Sequence, residues 1–100
     1  MKVSERIPPG LSPETRRLWR EMMATYRLEN PAAKLLLRTA CEAVDRLRQA
    51  QKAIKNDGVS VKNRYGMPVA HPALRTEAQA RQAVLQSLKQ LRVDPGEFED

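Results

Sequence analysis

A chain of 100 residues with 41% hydrophobic content predicts one small domain. Only four residues are aromatic, so leucine, alanine and valine must supply the packing, and a core this small is often completed by self-association. The sequence has no apolar run near the roughly 18 residues of a membrane span. It also has no apolar segment after Met1 of the secretory type, so neither a membrane nor a secreted protein is predicted.

The charge is unevenly distributed along the chain. Residues 94–100 hold four acids and no base, so residues 1–93 carry eighteen bases against eight acids, a formal charge of +10. Twelve of the bases are arginine, whose planar guanidinium suits two-point contact with phosphate. Nucleic acid is the commonest partner of such a surface, although an adaptor that docks on acidic proteins would carry the same charge.

The first predicted elements are a mobile arm over residues 1–10 and a helix that should run to about Arg27. Ser12 followed by Pro13 is an N-cap with proline at the first helical position. Trp19 lies on the apolar face and is interpreted as a core residue, with base stacking as the minor alternative. The arginines predicted to contact DNA from this helix are Arg16, Arg17 and Arg20.

The longest predicted element is a second helix over residues 31–56, capped by Asn30. Its main apolar residues recur at spacings of four and three, as in a coiled-coil seam, and Leu37, Cys41 and Val44 form a flanking stripe. An apolar surface this wide can face a helix of the same chain and a helix of another subunit. The residues predicted to mediate oligomerisation are Leu36, Ala40, Ala43, Leu47, Ala50 and Ile54.

A small β-hairpin is predicted over residues 59–70, in the only strand-like part of the sequence. Gly58 should end the second helix in a left-handed conformation, and the segment from Asn63 to Gly66 should reverse the chain. The alternation of Val59, Ser60, Val61 and Lys62 favours a strand. Two further predicted DNA contacts lie at the hairpin tip, Lys62 and Arg64.

A third helix is predicted over residues 72–92, antiparallel to the second. His71 before Pro72 is interpreted as a helix-capping residue. The predicted apolar stripe of this helix is Leu74, Ala78, Leu85 and Leu88. Residues 94–100 then form an acidic tail. Phe98 among the acids is typical of a docking peptide, and the alternative is a disordered tail that only increases solubility.

No catalytic residue, metal site or cofactor is predicted. One histidine and one cysteine cannot form a zinc site within a chain, and the sequence has no glycine-rich phosphate loop or nucleophile elbow. Cys41 is interpreted as a core residue, whose lack of a disulfide partner fits a reducing compartment. Asp45 is interpreted as an ordinary charge on the surface of the second helix.

The order and spacing of these pieces resemble the small subunits of phage terminases of the P27 family. The likeness covers roughly residues 8–93 and includes the segment LSPETRRLW, Leu11 to Trp19, as the first helix. The residues that carry it around the hairpin are Gly58, Val59, Val61, Asn63, Gly66, Pro68, His71, Pro72, Ala73 and Leu74.

The resemblance implies a mainly α-helical, non-catalytic protein that assembles into a ring larger than a dimer. Its implied partners are double-stranded viral DNA and the large terminase subunit, whose ATPase and nuclease it regulates during genome packaging in the cytoplasm of the infected bacterial host. The sequence leaves two alternatives open, a helical adaptor that only mediates protein docking and a small repressor-like dimer. A helix-turn-helix formed by the first two helices is disfavoured because the second is too long and apolar.

Overall fold

The computed structural model describes residues 7–92, which form three helices with a two-stranded hairpin between the second and the third. The helices are α1 (Pro13–Tyr26), α2 (Pro31–Asp57) and α3 (Ala73–Leu91). The mainly helical fold with two long helices joined by a hairpin is confirmed, and every helix end lies within one residue of its predicted position.

The hairpin consists of β1 (Ser60–Lys62) and β2 (Pro68–Ala70), which pair antiparallel with Val61 opposite Val69. Gly58 lies between α2 and β1 with a φ of 84°, a region that glycine enters without the steric cost other residues meet. The predicted end of α2 at a glycine is therefore confirmed.

Both predicted N-caps also form. The Ser12 Oγ accepts a hydrogen bond from the Thr15 amide at 3.3 Å, and the Asn30 Oδ1 accepts one from the Ala33 amide at 2.7 Å. In each helix proline follows the cap at the first helical position, where its missing N–H costs nothing.

The most extensive contact between described elements joins α2 to α3. The small residues buried on these helices, which allow close approach, are Ala40, Ala43, Ala50, Ala80 and Ser87. The apolar stripe predicted for α3 is wrong in part, because Leu85 is 53% exposed and Ala78 is exposed. The buried residues of α3 are instead Ala80 and Ser87, two positions after Ala78 and Leu85. These small side chains fit against α2.

A second core holds α1 against α2. Trp19 and Met22 of α1 cluster with Leu37 and Cys41 of α2, and all four are 3% exposed or less. The interpretation of Trp19 as a core residue is confirmed. Leu91 at the end of α3 packs against the same cluster, which brings all three helices together at this end of the molecule.

The predicted arm and tail are only partly within the described residues. Ile7, which the sequence assigned to the arm, packs against the core cluster. Residues 1–6 and the acidic tail over 94–100 lie outside the described range.

Asp45 anchors the beginning of α1, so its interpretation as an ordinary surface charge is wrong. Its carboxylate accepts hydrogen bonds from the Ser12 amide at 2.9 Å, the Ser12 hydroxyl at 2.7 Å and the Thr15 hydroxyl. Burial by itself raises the pKa of the Asp45 carboxyl, but these hydrogen bonds and the charge of Arg48 more than compensate and hold it below its usual value. Thr15 is completely buried beneath this contact.

Replacing Asp45 with asparagine should lower the free energy of unfolding by about 2 kcal/mol at pH 7, because hydrogen bonds to a charged group are lost. Since the pKa of Asp45 is lower in the folded chain than in the unfolded chain, its stabilisation is present above pH about 4. It is lost as the pH falls further, through the folded pKa. Urea denaturation at pH 7 and pH 3 checks both statements.

The matched control is Glu42→Gln, one turn earlier on α2. Glu42 pairs with Arg38 at 3.1 Å, and the two side chains are 42% and 50% exposed, so the loss should stay below about 1 kcal/mol. Equal losses for the two variants would contradict the anchoring role of Asp45.

Candidate nucleic-acid interface

The three arginines predicted to contact DNA from α1 are all exposed, whereas Trp19 and Met22 on the same helix are buried. Among the described residues none of them forms an ion pair, which leaves their charge available to an external anion. The Arg16 Nε donates a hydrogen bond to the Leu11 carbonyl at 3.2 Å. Because the core and Asp45 hold the opposite side of α1, this arginine surface (Arg16, Arg17 and Arg20) has a fixed direction.

The hairpin tip presents a second set of cations. Lys62 and Arg64 are exposed, and the Asn63 Oδ1 accepts hydrogen bonds from the amides of Tyr65 and Met67 at 2.9 and 3.0 Å. These bonds fix the predicted turn, in which Gly66 has a φ of 77°.

Tyr65 is a candidate contact that sequence reasoning missed. It is 73% exposed, and the Arg64 guanidinium lies 5.1 Å from the centroid of its ring. An arginine followed by an aromatic residue at a predicted turn tip is the signal that could have found it. We name Lys62, Arg64 and Tyr65 the hairpin tip.

The structure does not bring the two basic surfaces together. The arginine surface lies over the part of α2 between Leu37 and Asp45, whereas the hairpin begins after Asp57. The twelve residues from Asp45 to Asp57 correspond to about 18 Å of helix. A nucleic acid that contacts both surfaces must therefore extend along the molecule or bridge two subunits.

His71 fixes the base of the hairpin. Its Nδ1 accepts a hydrogen bond from the Ala73 amide at 2.9 Å, so the ring proton lies on Nε2, which donates to the Asp57 Oδ2 at 2.9 Å. The predicted capping role is confirmed. One ring thus joins the end of α2 to the start of α3 and sets the direction in which the hairpin projects.

Replacing His71 with alanine should cost about 1 kcal/mol, the usual contribution of a helix cap, and lower the melting temperature by several degrees. His71→Asn is the matched variant, since asparagine can cap α3 but is too short to reach Asp57. Thermal melts at one fixed protein concentration should rank wild type above asparagine and asparagine above alanine. If the His71→Asn variant melted at no higher temperature than the His71→Ala variant, His71 would not stabilise the protein by capping α3.

The residues predicted to mediate oligomerisation fall into two groups. The alanines among them, Ala40, Ala43 and Ala50, are at most 4% exposed within the single chain, so they cannot form a surface. The larger ones, Leu36, Leu47 and Ile54, are half-buried and keep part of their side chains accessible. Self-association through Leu36, Leu47 and Ile54 stays a prediction.

The described residues contain no group of three His, Cys, Asp or Glu side chains that could hold a metal ion. Burial, with the negative charges of Asp45 and Glu42, raises the pKa of the Cys41 thiol to about 12, so at neutral pH it is the protonated, unreactive form. Across residues 7–92, no helix is long and apolar enough to cross a membrane.

The described residues thus form a small helical scaffold that presents two basic surfaces. The model of the family described as phage terminase, small subunit, matches residues 11–97, or 87 of the 100 residues. The chain therefore belongs to the phage terminase small-subunit family, which is non-catalytic and serves DNA packaging together with the large terminase. No curated protein and no solved structure matches the chain.

Proposed function

We propose that this chain recognises double-stranded viral DNA and regulates the large terminase subunit, acting as a ring-shaped oligomer in the cytoplasm of the infected bacterial host. The observation that carries the proposal is the arginine surface of α1, three exposed guanidinium groups on a rigidly held helix. The family assignment supports the packaging role, and the net charge of +10 over residues 1–93 supports the nucleic-acid partner.

The binding is mainly to phosphates. Each phosphate that a cation neutralises releases a counterion, so the slope of log Kobs against log salt falls by about 0.9 per contact. The arginine surface contributes three such contacts, and Lys62 and Arg64 at the hairpin tip contribute two more. The Tyr65 ring adds apolar area beside the DNA backbone or a base edge.

Charge reversal at the arginine surface, with Arg16, Arg17 and Arg20 all replaced by glutamate, should weaken duplex binding at least tenfold at low salt. It should also make the salt slope shallower by about three. Fluorescence anisotropy with a labelled duplex at several salt concentrations measures both quantities.

The control carries the same change in net charge on exposed arginines outside both surfaces, namely Arg46, Arg75 and Arg81. It should retain most of the affinity. Equal losses in the two triple variants would mean that overall charge, rather than the arginine surface, determines binding. Unchanged affinity in the first variant would remove these residues from the interface.

Assembly uses the apolar groups that the single chain leaves accessible. These are the half-buried Leu36, Leu47 and Ile54 of α2, with Leu35 and Leu85, which are 64% and 53% exposed. Exposed leucines on neighbouring helices are typical of a surface that another subunit covers.

Native mass spectrometry of the wild type should give one closed oligomer larger than a dimer. Leu35→Glu combined with Leu85→Glu should shift it to smaller species without loss of helical circular dichroism, since neither side chain belongs to the core. Gln49→Glu combined with Gln79→Glu, at exposed polar positions of the same helices that are more than one turn away from Leu35 and Leu85, should leave the mass unchanged. A wild-type monomer or dimer would contradict the ring and favour a repressor-like or adaptor protein.

A further inference from the structure

An open groove of about 830 Å³ lies between Ile7, the second half of α1, the link to α2 and the start of α2. Trp19, Met23 and Leu28 form its apolar floor. Trp19 is 97% buried, yet no residue in the range 7–92 accepts a hydrogen bond from its indole N–H. The indole nitrogen is itself shielded from solvent, so the groove offers an occupant the apolar part of the ring and not a hydrogen-bond donor.

The rim of the groove is basic. Arg20, Arg27 and Lys34 line it against a single acid, Glu29. Within the described part of the chain, none of these three bases forms an ion pair. A groove with an apolar floor and cationic edges fits a short acidic peptide with one aromatic side chain better than it fits a bare phosphate.

We propose that this groove binds the C-terminal segment of the same subunit, residues 94–100. The segment reads DPGEFED and contains four acids, no base and the only phenylalanine of the chain. Phe98 packs on the floor beside Trp19, and Glu97 and Glu99 on either side of it meet the basic rim.

The position of α3 places this segment within reach. Leu91, the last residue of α3, packs against the core cluster that contains Trp19. The seven residues from Leu91 to Phe98 can span about 24 Å when extended, which exceeds the length of about 21 Å for the whole of α1. The segment therefore leaves the helical body close enough to reach any part of the groove.

The other terminal segment is a poorer occupant. Residues 1–6 contain Lys2 and Arg6 against Glu5, so their charge has the same sign as the rim. They also lack an aromatic residue. Charge complementarity thus selects the C-terminal segment over the N-terminal one.

Occupancy of the groove bears on DNA binding, and this step alone rests on the proposed function. Arg20 belongs both to the rim and to the arginine surface. A bound acidic segment places carboxylates beside it and competes with phosphate for the same cation. The segment acts as a brake on DNA affinity, which DNA or another partner relieves by displacing it.

The test uses Trp19 as a reporter, because it is the only tryptophan and gives one fluorescence signal and one indole N–H resonance. In the full chain, Phe98→Ala should shift both signals relative to wild type, and Phe98→Leu, which keeps an apolar side chain, should shift them less. Lys34→Glu should shift both Trp19 signals in the same way as Phe98→Ala, because it removes a positive charge from the rim.

Wild-type and Phe98→Ala chains with identical Trp19 signals would overturn the proposal. A mixture of labelled Phe98→Ala chains with unlabelled wild type tests the same-subunit contact. The labelled indole resonance should stay at its Phe98→Ala position, and a return to the wild-type position would assign the segment to a neighbouring copy and overturn that contact.

Duplex affinity at low salt is measured separately and should rise severalfold in Phe98→Ala. If no chain binds DNA while the Trp19 signals respond as expected, the proposed function fails and the peptide site stands. If DNA binds to every chain and the Trp19 signals do not respond, the peptide site fails alone.

Discussion

The burial of α2 on two sides is the constraint on which the rest of the molecule depends. Its alanine-rich side packs in the interface with α3, and Leu37 and Cys41 on the adjacent side pack against Trp19 and Met22 of α1. Among residues 7–92, five of the nine buried hydrophobic side chains belong to α2, more than to any other element. The directions of α1, α3 and the hairpin all follow from contacts with this one helix.

Polar contacts add what apolar packing lacks, which is a specific orientation. Hydrophobic burial is non-directional, whereas the hydrogen bonds from Ser12 and Thr15 to Asp45 set where α1 begins along α2. His71 has the same role at the other end, since its two ring nitrogens join α2 to α3. The arginine surface and the hairpin tip therefore project from defined positions, and a rigid display of cations loses little entropy on binding phosphate.

The basic body, residues 1–93, and the acidic segment, residues 94–100, carry charges of opposite sign. On the proposed function, a subunit that binds DNA and later releases it to a packaging motor benefits from moderate rather than maximal affinity. A carboxylate-rich segment that shares Arg20 with DNA would reduce affinity without removing any DNA contact. On the proposed function, the roughly 18 Å of helix between Asp45 and Asp57, which keeps the arginine surface away from the hairpin, lets neighbouring subunits share one duplex.

The chain's local signals were enough to place the elements. Caps and breakers such as Asn30 and Gly58 act through atoms a few residues away, so the helix ends and the hairpin were predicted to within one residue. The side of α3 that turns inward was not predictable, because alanine and leucine occur at adjacent positions and a 3.6-residue period cannot choose between them. The role of Asp45 and the groove beside Trp19 were also hidden, since their partners lie on different helices, 30 and 33 residues apart for Asp45. Such contacts exist only after three helices have packed, and the packing of side chains, not the local sequence, determines which groups meet.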